Sequence, residues 1–185
     1  MIKAWEILEK KKTKDYKIFS IWEERAKNPR NGAIRDLVIL DFPEWISVIP
    51  VTAGGDVVMV RQYRHGVNEV LLEIPGGLMD KDDPSPETAA RRELREETGY
   101  TADAFTLLGS LYPQPAVQSN RYHIFLAENA VKTGDTAFDE GEDLETVLIP
   151  LREIPRLIET GEIRHAMVVT AFYYLALHRG ELGDG

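Results

Sequence analysis

The segment Ser85–Tyr100 constrains this chain more than any other, because both of its ends are written in cap residues. Ser85 offers a hydroxyl to the orphan amides of a first helical turn, and Pro86 sits where no amide donor is needed. Gly99 is the matching stop, so a helix is expected from Pro86 to about Thr98. On such a helix Glu93, Glu96 and Glu97 are spaced i, i+3, i+4 and fall within a ~100° arc. Ala89 and Ala90 lie one turn earlier on that side, leaving room for something to approach the carboxylates, while Arg91 and Arg95 lie opposite. Like charges at this spacing cost a few tenths of a kcal/mol per pair, so the cluster needs either a compensating cation or plain solvation. Hard divalent cations prefer oxygen ligands and keep several waters, which suits an incomplete cage of carboxylates. Arg92, four residues before Glu96, is placed to pair with it.

The rest of the chain reads as strands with a few helices. Tyr16–Arg25 alternates apolar and polar residues like a half-exposed strand, a turn follows at Asn28–Gly32, and Leu37–Phe42 forms another strand. Residues 1–44 therefore read as a small N-terminal antiparallel β extension, too small to bury itself and expected to pack on the main domain or on a second copy, as in a homodimer. From Trp45 the pattern becomes one of buried strands: Trp45–Thr52, a Gly54-Gly55 turn, Val57–Arg64, and Val70–Ile74 ended by Pro75-Gly76-Gly77. Further strands are expected at Phe105–Leu111, Arg121–Ala127 and Leu144–Ile149, with helices at Leu151–Glu159 and Arg164–Leu177. The class is α+β: a mixed β-sheet over residues 45–185, covered by helices on its faces.

Composition enters by exclusion. With 31 acidic against 22 basic residues the net charge is −9, which argues against nucleic acid and anionic membrane as partners, so an anionic ligand would need metal ions or clustered arginines. The absence of cysteine removes disulfides, thiolate zinc sites and cysteine nucleophiles. No apolar run approaches the ~20 residues of a bilayer span, and a soluble cytoplasmic protein is expected. His65, His123, His165 and His178 show no metal-ligand spacing.

Gly77–Arg91 followed by Arg92-Glu93-Leu94-Arg95-Glu96-Glu97-Thr98-Gly99-Tyr100 resembles the Nudix box, G-x5-E-x7-R-E-U-x-E-E-x-G-U, where U is aliphatic or bulky. The second half matches at every defined position when Tyr100 fills the last. The first half carries one inserted residue: counting from Gly77 puts Asp83 at the first glutamate, counting back from Arg92 puts Pro84 there, and Asp82 or Asp83 is left to cover that acid. The resemblance implies a Nudix-type α/β/α sandwich and hydrolysis of a diphosphate linkage without a covalent intermediate. It implies Glu93 and Glu97 as principal metal ligands, Glu96 sharing a metal or its bound water, and the Gly76 carbonyl completing the shell, with Mg²⁺ as the cofactor and Mn²⁺ as a substitute.

Val60–Arg64 running into Glu73–Gly77, with Pro115 beyond the box, resembles the branch of that family acting on ADP-ribose and other nucleoside diphosphate sugars. By that likeness Arg61 or Arg64 binds phosphate and Glu73 contacts substrate or a metal-bound water. Strand alternation turns the two arginines to opposite faces, and a surface salt bridge is the competing role for either. The acidic stretch Phe138–Glu145 is matched to a late catalytic glutamate, Glu142, with Glu140 and Glu145 as substitutes and a solvated loop as the other reading. Tyr112–Asn120 is a candidate pocket wall. Three functions stay open: hydrolysis of a nucleotide sugar, the same chemistry on triphosphates, dinucleoside polyphosphates or coenzymes, and a sensor that binds such a ligand without turnover.

Overall fold

The computed structural model describes residues 1–138 and 143–181, which form two compact units: Met1–Glu44 with Tyr112–Arg121, and Trp45–Leu111 with the remainder from Tyr122. In the first, β1 (Glu6–Asp15), β2 (Ser20–Lys27) and β3 (Ile34–Asp41) pair antiparallel in that order. The strand expected over Tyr16–Arg25 begins only at Ser20, because Tyr16 to Phe19 is the turn between β1 and β2, closed by Tyr16 N–H donating to the Phe19 carbonyl at 2.8 Å. β1 escaped the sequence reading because its side chains are nearly all exposed and its place is set by the antiparallel ladder to β2. Lys10 meets Glu24 at 2.6 Å, and the Lys12 ammonium stands 5.5 Å from the centre of the Trp22 ring. The connection at 112–121, expected as a pocket wall, is tied to β3: Leu40 N–H donates to the Val117 carbonyl at 2.7 Å and the Ser119 hydroxyl to Asp41 at 2.6 Å.

The second unit is built on β4 (Trp45–Val51), β5 (Asp56–Arg64), β6 (Glu69–Glu73), β7 (Tyr100–Thr101), β8 (Phe105–Leu111), β9 (Tyr122–Glu128), β10 (Val131–Lys132) and β11 (Leu144–Pro150). Six of these form one mixed sheet in the order β11-β5-β4-β9-β8, with β6 paired to β5; β4 and β9 run parallel and the other pairs antiparallel. The short β7 and β10 pair with each other. The β4–β5 hairpin turns at Gly55, whose φ of 83° lies in the left-handed region that favours glycine. Among the described residues three helices complete the unit: α1 (Pro86–Thr98), α2 (Ile154–Glu159, entered through a 3₁₀ turn) and α3 (Ala166–His178).

Strand alternation sends side chains to two cores. Ile46 and Val48 of β4 with Phe125 and Ala127 of β9 meet Ala89, Ala90 and Leu94 of α1. Ile49 and Val51 with Ile124 and Leu126 pack instead on Leu157, Val168, Ala171 and Phe172 from α2 and α3. The result is the α/β/α layering expected from the sequence, with α1 on one face and α2 and α3 on the other. Ala89 and Ala90 do not leave space beside the carboxylates as expected: both are completely buried, and their small size lets the helix approach the sheet. Among the described residues no helix is long and apolar enough to cross a membrane.

Candidate active site

The caps of α1 are those the sequence implies. The Ser85 hydroxyl accepts from Thr88 N–H at 3.2 Å, and Gly99, at φ 73°, returns its N–H to the Arg95 carbonyl. The helix is pinned to β4 by its alanines, and the glutamate stripe follows from that docking. Glu93 and Glu97 are buried and Glu96 is half-buried.

Opposite them runs Pro75–Leu78, paired with the start of β4: Ile46 N–H donates to the Gly77 carbonyl at 3.0 Å and Val48 N–H to that of Pro75 at 2.8 Å. This ladder uses alternate carbonyls and leaves that of Gly76 outside it, while Gly76 N–H donates to Glu97 Oε2 at 3.0 Å. Two close approaches require glycine. A Cβ on Gly76 would stand 2.3 Å from the Ile46 carbonyl oxygen, and one on Gly77 would stand 2.5 Å from Glu93 Oε1. The two obstacles differ in kind, one backbone and the other the end of a side chain. We therefore expect Gly76→Ala to lower both stability, by about 1–3 kcal/mol, and activity. Gly77→Ala should leave the melting temperature nearly unchanged but lower activity by displacing Glu93; thermal melts beside initial rates separate the two.

Arg92 joins the loop before α1 to the glutamates. Its Nη1 donates to Glu93 Oε1 at 2.9 Å and Glu96 Oε2 at 3.2 Å, and its Nη2 to the Leu78 carbonyl at 3.1 Å and Asp83 Oδ2 at 3.0 Å. The expected pairing with Glu96 is present, and the inserted loop delivers Asp83 rather than Asp82 to the guanidinium. Asp83 also accepts from Asp80 N–H at 2.9 Å. Burial pulls the Arg92 pKa down, but Asp83, Glu93 and Glu96 outweigh it and raise it, so the group stays charged at every working pH. Burial pushes the Asp83 carboxyl up, and the Arg92 and Asp80 donors more than reverse this, leaving it below the ordinary carboxylate range.

A depressed folded pKa gives stability that is present above the unfolded value of about 3.9 and is lost as pH falls through the folded one. Asp83→Asn should accordingly cost about 1 kcal/mol near neutrality, with the gap to wild type closing below about pH 4. Melting curves from neutral to acid pH read this directly; a gap that persists or widens in acid would show that Asp83 does not carry the charge pairing.

The arginines of β5 separate as strand alternation requires. Arg61 lies at the surface, paired with Glu145 of β11 at 3.1 Å. Arg64 grips Glu73 with two parallel bonds, Nε to Oε1 at 2.8 Å and Nη2 to Oε2 at 2.7 Å, and Glu73 is buried. The Glu73 carboxylate is thus occupied in fixing Arg64. His165, which sequence spacing gave no role, has Nδ1 3.8 Å from Glu73 Oε2. Tyr122 is fully buried between Glu73 and Ser47, and Ser47 Oγ is 3.0 Å from where a Gly76 side chain would begin, so the Arg64–Glu73 pair and the glycine strip are linked through packed groups. Burial and the Glu73 charge raise the Tyr122 pKa against the hydrogen bond with Ser47, keeping it a neutral donor to the Met167 carbonyl at 3.3 Å. Glu142 and Glu140 lie outside the described residues; Glu145 is the partner of Arg61.

The donor set is all oxygen: buried Glu93 and Glu97, half-buried Glu96 and the backbone of Gly76, in a cradle that a side chain on Gly77 would fill. Among the described residues no three histidine, aspartate or glutamate side chains are gathered closely enough to hold a metal ion by themselves, so backbone oxygen, water or substrate would have to complete the shell. An open set of hard donors fits a divalent cation that keeps waters and accepts substrate oxygens.

A mixed sheet with a carboxylate helix on one face and apolar helices on the other is the arrangement expected of a Nudix-type hydrolase. Residues 43–172 match the NUDIX domain family. The chain is 34% identical over 162 residues to the ADP-ribose pyrophosphatase of Bacillus subtilis (strain 168), covering 87% of this chain and 86% of that protein. It is 35% identical over 127 residues to the GDP-mannose pyrophosphatase of Citrobacter koseri, covering 64% and 65%. A crystal structure of an ADP compounds hydrolase superposes with a TM-score of 0.85 at 25% identity, covering 99% of this chain and 98% of that one. The chain belongs to the NUDIX family, whose hydrolases generally require a divalent metal.

Proposed function

We propose that the chain hydrolyses the diphosphate linkage of a nucleoside diphosphate sugar, ADP-ribose first among them, to a nucleoside monophosphate and a sugar phosphate. The observation that carries this reading is the buried Glu93–Glu97 pair facing the Gly76-Gly77 strip, a cost in desolvation that an oxygen-ligated cation offsets. Mg²⁺ or Mn²⁺, held by Glu93, Glu96, Glu97 and the Gly76 carbonyl, would neutralise the diphosphate and lower the pKa of the attacking water. Arg92 orients Glu93 and Glu96, and Gly76 N–H fixes the rotamer of Glu97. Arg64, held in one orientation by Glu73, is the phosphate anchor we favour over Arg61, whose pairing with Glu145 at the surface suits a solvated role. Glu142 is assigned the proton of the attacking water. The names of the two relatives favour a nucleotide sugar over a triphosphate.

The test is a panel of nucleotide sugars, triphosphates and dinucleoside polyphosphates with Mg²⁺ or Mn²⁺, scored by released monophosphate. Turnover of ADP-ribose or GDP-mannose above all triphosphates is the expected result. Binding of ADP-ribose without turnover of any member would favour the sensor instead.

We further propose a cytoplasmic homodimer formed through residues 1–44. The β1–β3 sheet leaves Ile7, Ile34, Leu37 and Val38 exposed, an apolar surface that a second copy would cover. A monomeric mass by light scattering at micromolar concentration would overturn this.

A further inference from the structure

The side of α1 turned away from Glu97 carries a second stripe, Thr88, Arg91, Arg92 and Arg95, at the i, i+3, i+4, i+7 spacing of one helical face. Together with Thr101 and Phe105 these residues line a depression of about 310 Å³. Three guanidinium groups stand around this concavity, and of these Arg91 and Arg92 already face carboxylates while Arg95 has no carboxylate partner among the described residues. The arginines differ in state. Arg91 is immobilised: it bonds Glu87 and the carbonyls of Ala102 and Asp103, all at 3.0 Å, and lies 4.3 Å from the centre of the Phe105 ring. Arg92 is committed to the carboxylates of the other face. Arg95 is exposed, with no ion pair or side-chain hydrogen bond among the described residues. One guanidinium at liberty to turn and the hydroxyls of Thr88 and Thr101 make a donor set beside the wall that Arg91 and Phe105 form. The volume is at the lower end of small-molecule sites, which fits a small anion and excludes a whole nucleotide sugar.

We propose that this depression binds the phosphate group of a small phosphate-bearing anion, with Arg95 as the principal donor and the Thr88 and Thr101 hydroxyls beside it. Guanidinium forks match phosphate oxygens in pairs, which favours phosphate over halide or a single carboxylate. The site stands on its own residues and does not depend on which substrate the opposite face hydrolyses.

The test titrates the full chain, without added divalent cation, with inorganic phosphate and separately with ribose 5-phosphate, read by calorimetry and by amide shifts. Saturable binding in the millimolar range is expected, with shifts at Thr88, Arg95 and Thr101. Arg95→Gln should weaken it about tenfold, and Glu97→Gln should leave it unchanged. Equal affinity for the two probes identifies free phosphate as the ligand, and tighter binding of the sugar phosphate identifies a monoester; either supports the site. Binding that Arg95→Gln leaves intact, shifts confined to Gly76, Glu93 and Glu97, or no saturation with either probe would overturn it.

Discussion

Glu97→Gln is expected to lower kcat/KM for nucleotide-sugar hydrolysis by about 10²–10³-fold while leaving the fold intact. The substitution is isosteric at a position that is 3% exposed, so no cavity forms. The amide oxygen can go on accepting the Gly76 N–H that Glu97 Oε2 accepts at 3.0 Å. What is lost is one full negative charge where the metal would sit, and the new amide N–H groups would point positive ends toward a cation. Because a buried carboxylate costs desolvation, the variant should melt no lower than wild type without metal, and could melt higher. The expected pattern is therefore an unchanged or raised Tm, a large fall in kcat, and little recovery with excess Mn²⁺. Activity within threefold of wild type would remove Glu97 from the metal site. Glu96→Gln is a useful companion: half-buried and held by Arg92, Glu96 should cost closer to tenfold.

What could be read in the sequence is what depends on local rules. The bounds of α1 follow from Ser85, Pro86 and Gly99, each of which acts on its own turn, and the structure has the helix at Pro86–Thr98. The glutamate stripe is a consequence of helical period alone, and the separation of Arg61 from Arg64 follows from strand period. Long-range docking was not legible. Ala89 and Ala90 read as open space, and only the partner residues Ile46, Val48 and Phe125 reveal close contact instead. The grip of Arg64 on Glu73 needs the β5–β6 register, which no propensity encodes. The inserted residue before α1 left two aspartates as candidates, and the choice of Asp83 rests on reach to Arg92 and on the amide of Asp80. β1 failed for a different reason: its residues are nearly all exposed, so it lacks the burial pattern that marks a strand.

Replacing Arg92 by alanine should be the most destabilising single change near the site. The side chain is 24% exposed and satisfies Asp83, Glu93 and Glu96 at once, with Asp80 also at 3.5 Å. Without it these carboxylates face one another in a partly desolvated space with Glu97 beside them, and removing one partner of a buried ion pair typically costs 3–5 kcal/mol. Partial exposure argues for the lower end, about 3 kcal/mol, or roughly 6–12 °C in Tm for a chain of this size. Arg92→Lys keeps the charge but replaces a planar fork by one compact ammonium, which cannot hold both the Leu78–Asp83 side and the Glu93–Glu96 side, so it should recover less than half of the loss. The carboxylates released by Arg92→Ala are the same ones assigned to the metal, which gives the experiment its second reading. Mg²⁺ should raise the Tm of Arg92→Ala more than that of wild type, because added cation takes over neutralisation that the guanidinium supplied. A wild-type Tm for Arg92→Ala would reduce the network to a solvated surface feature. A large loss that Mg²⁺ leaves untouched would mean that Arg92 braces the loop at Leu78 and Asp83 without sharing its charge with the metal site.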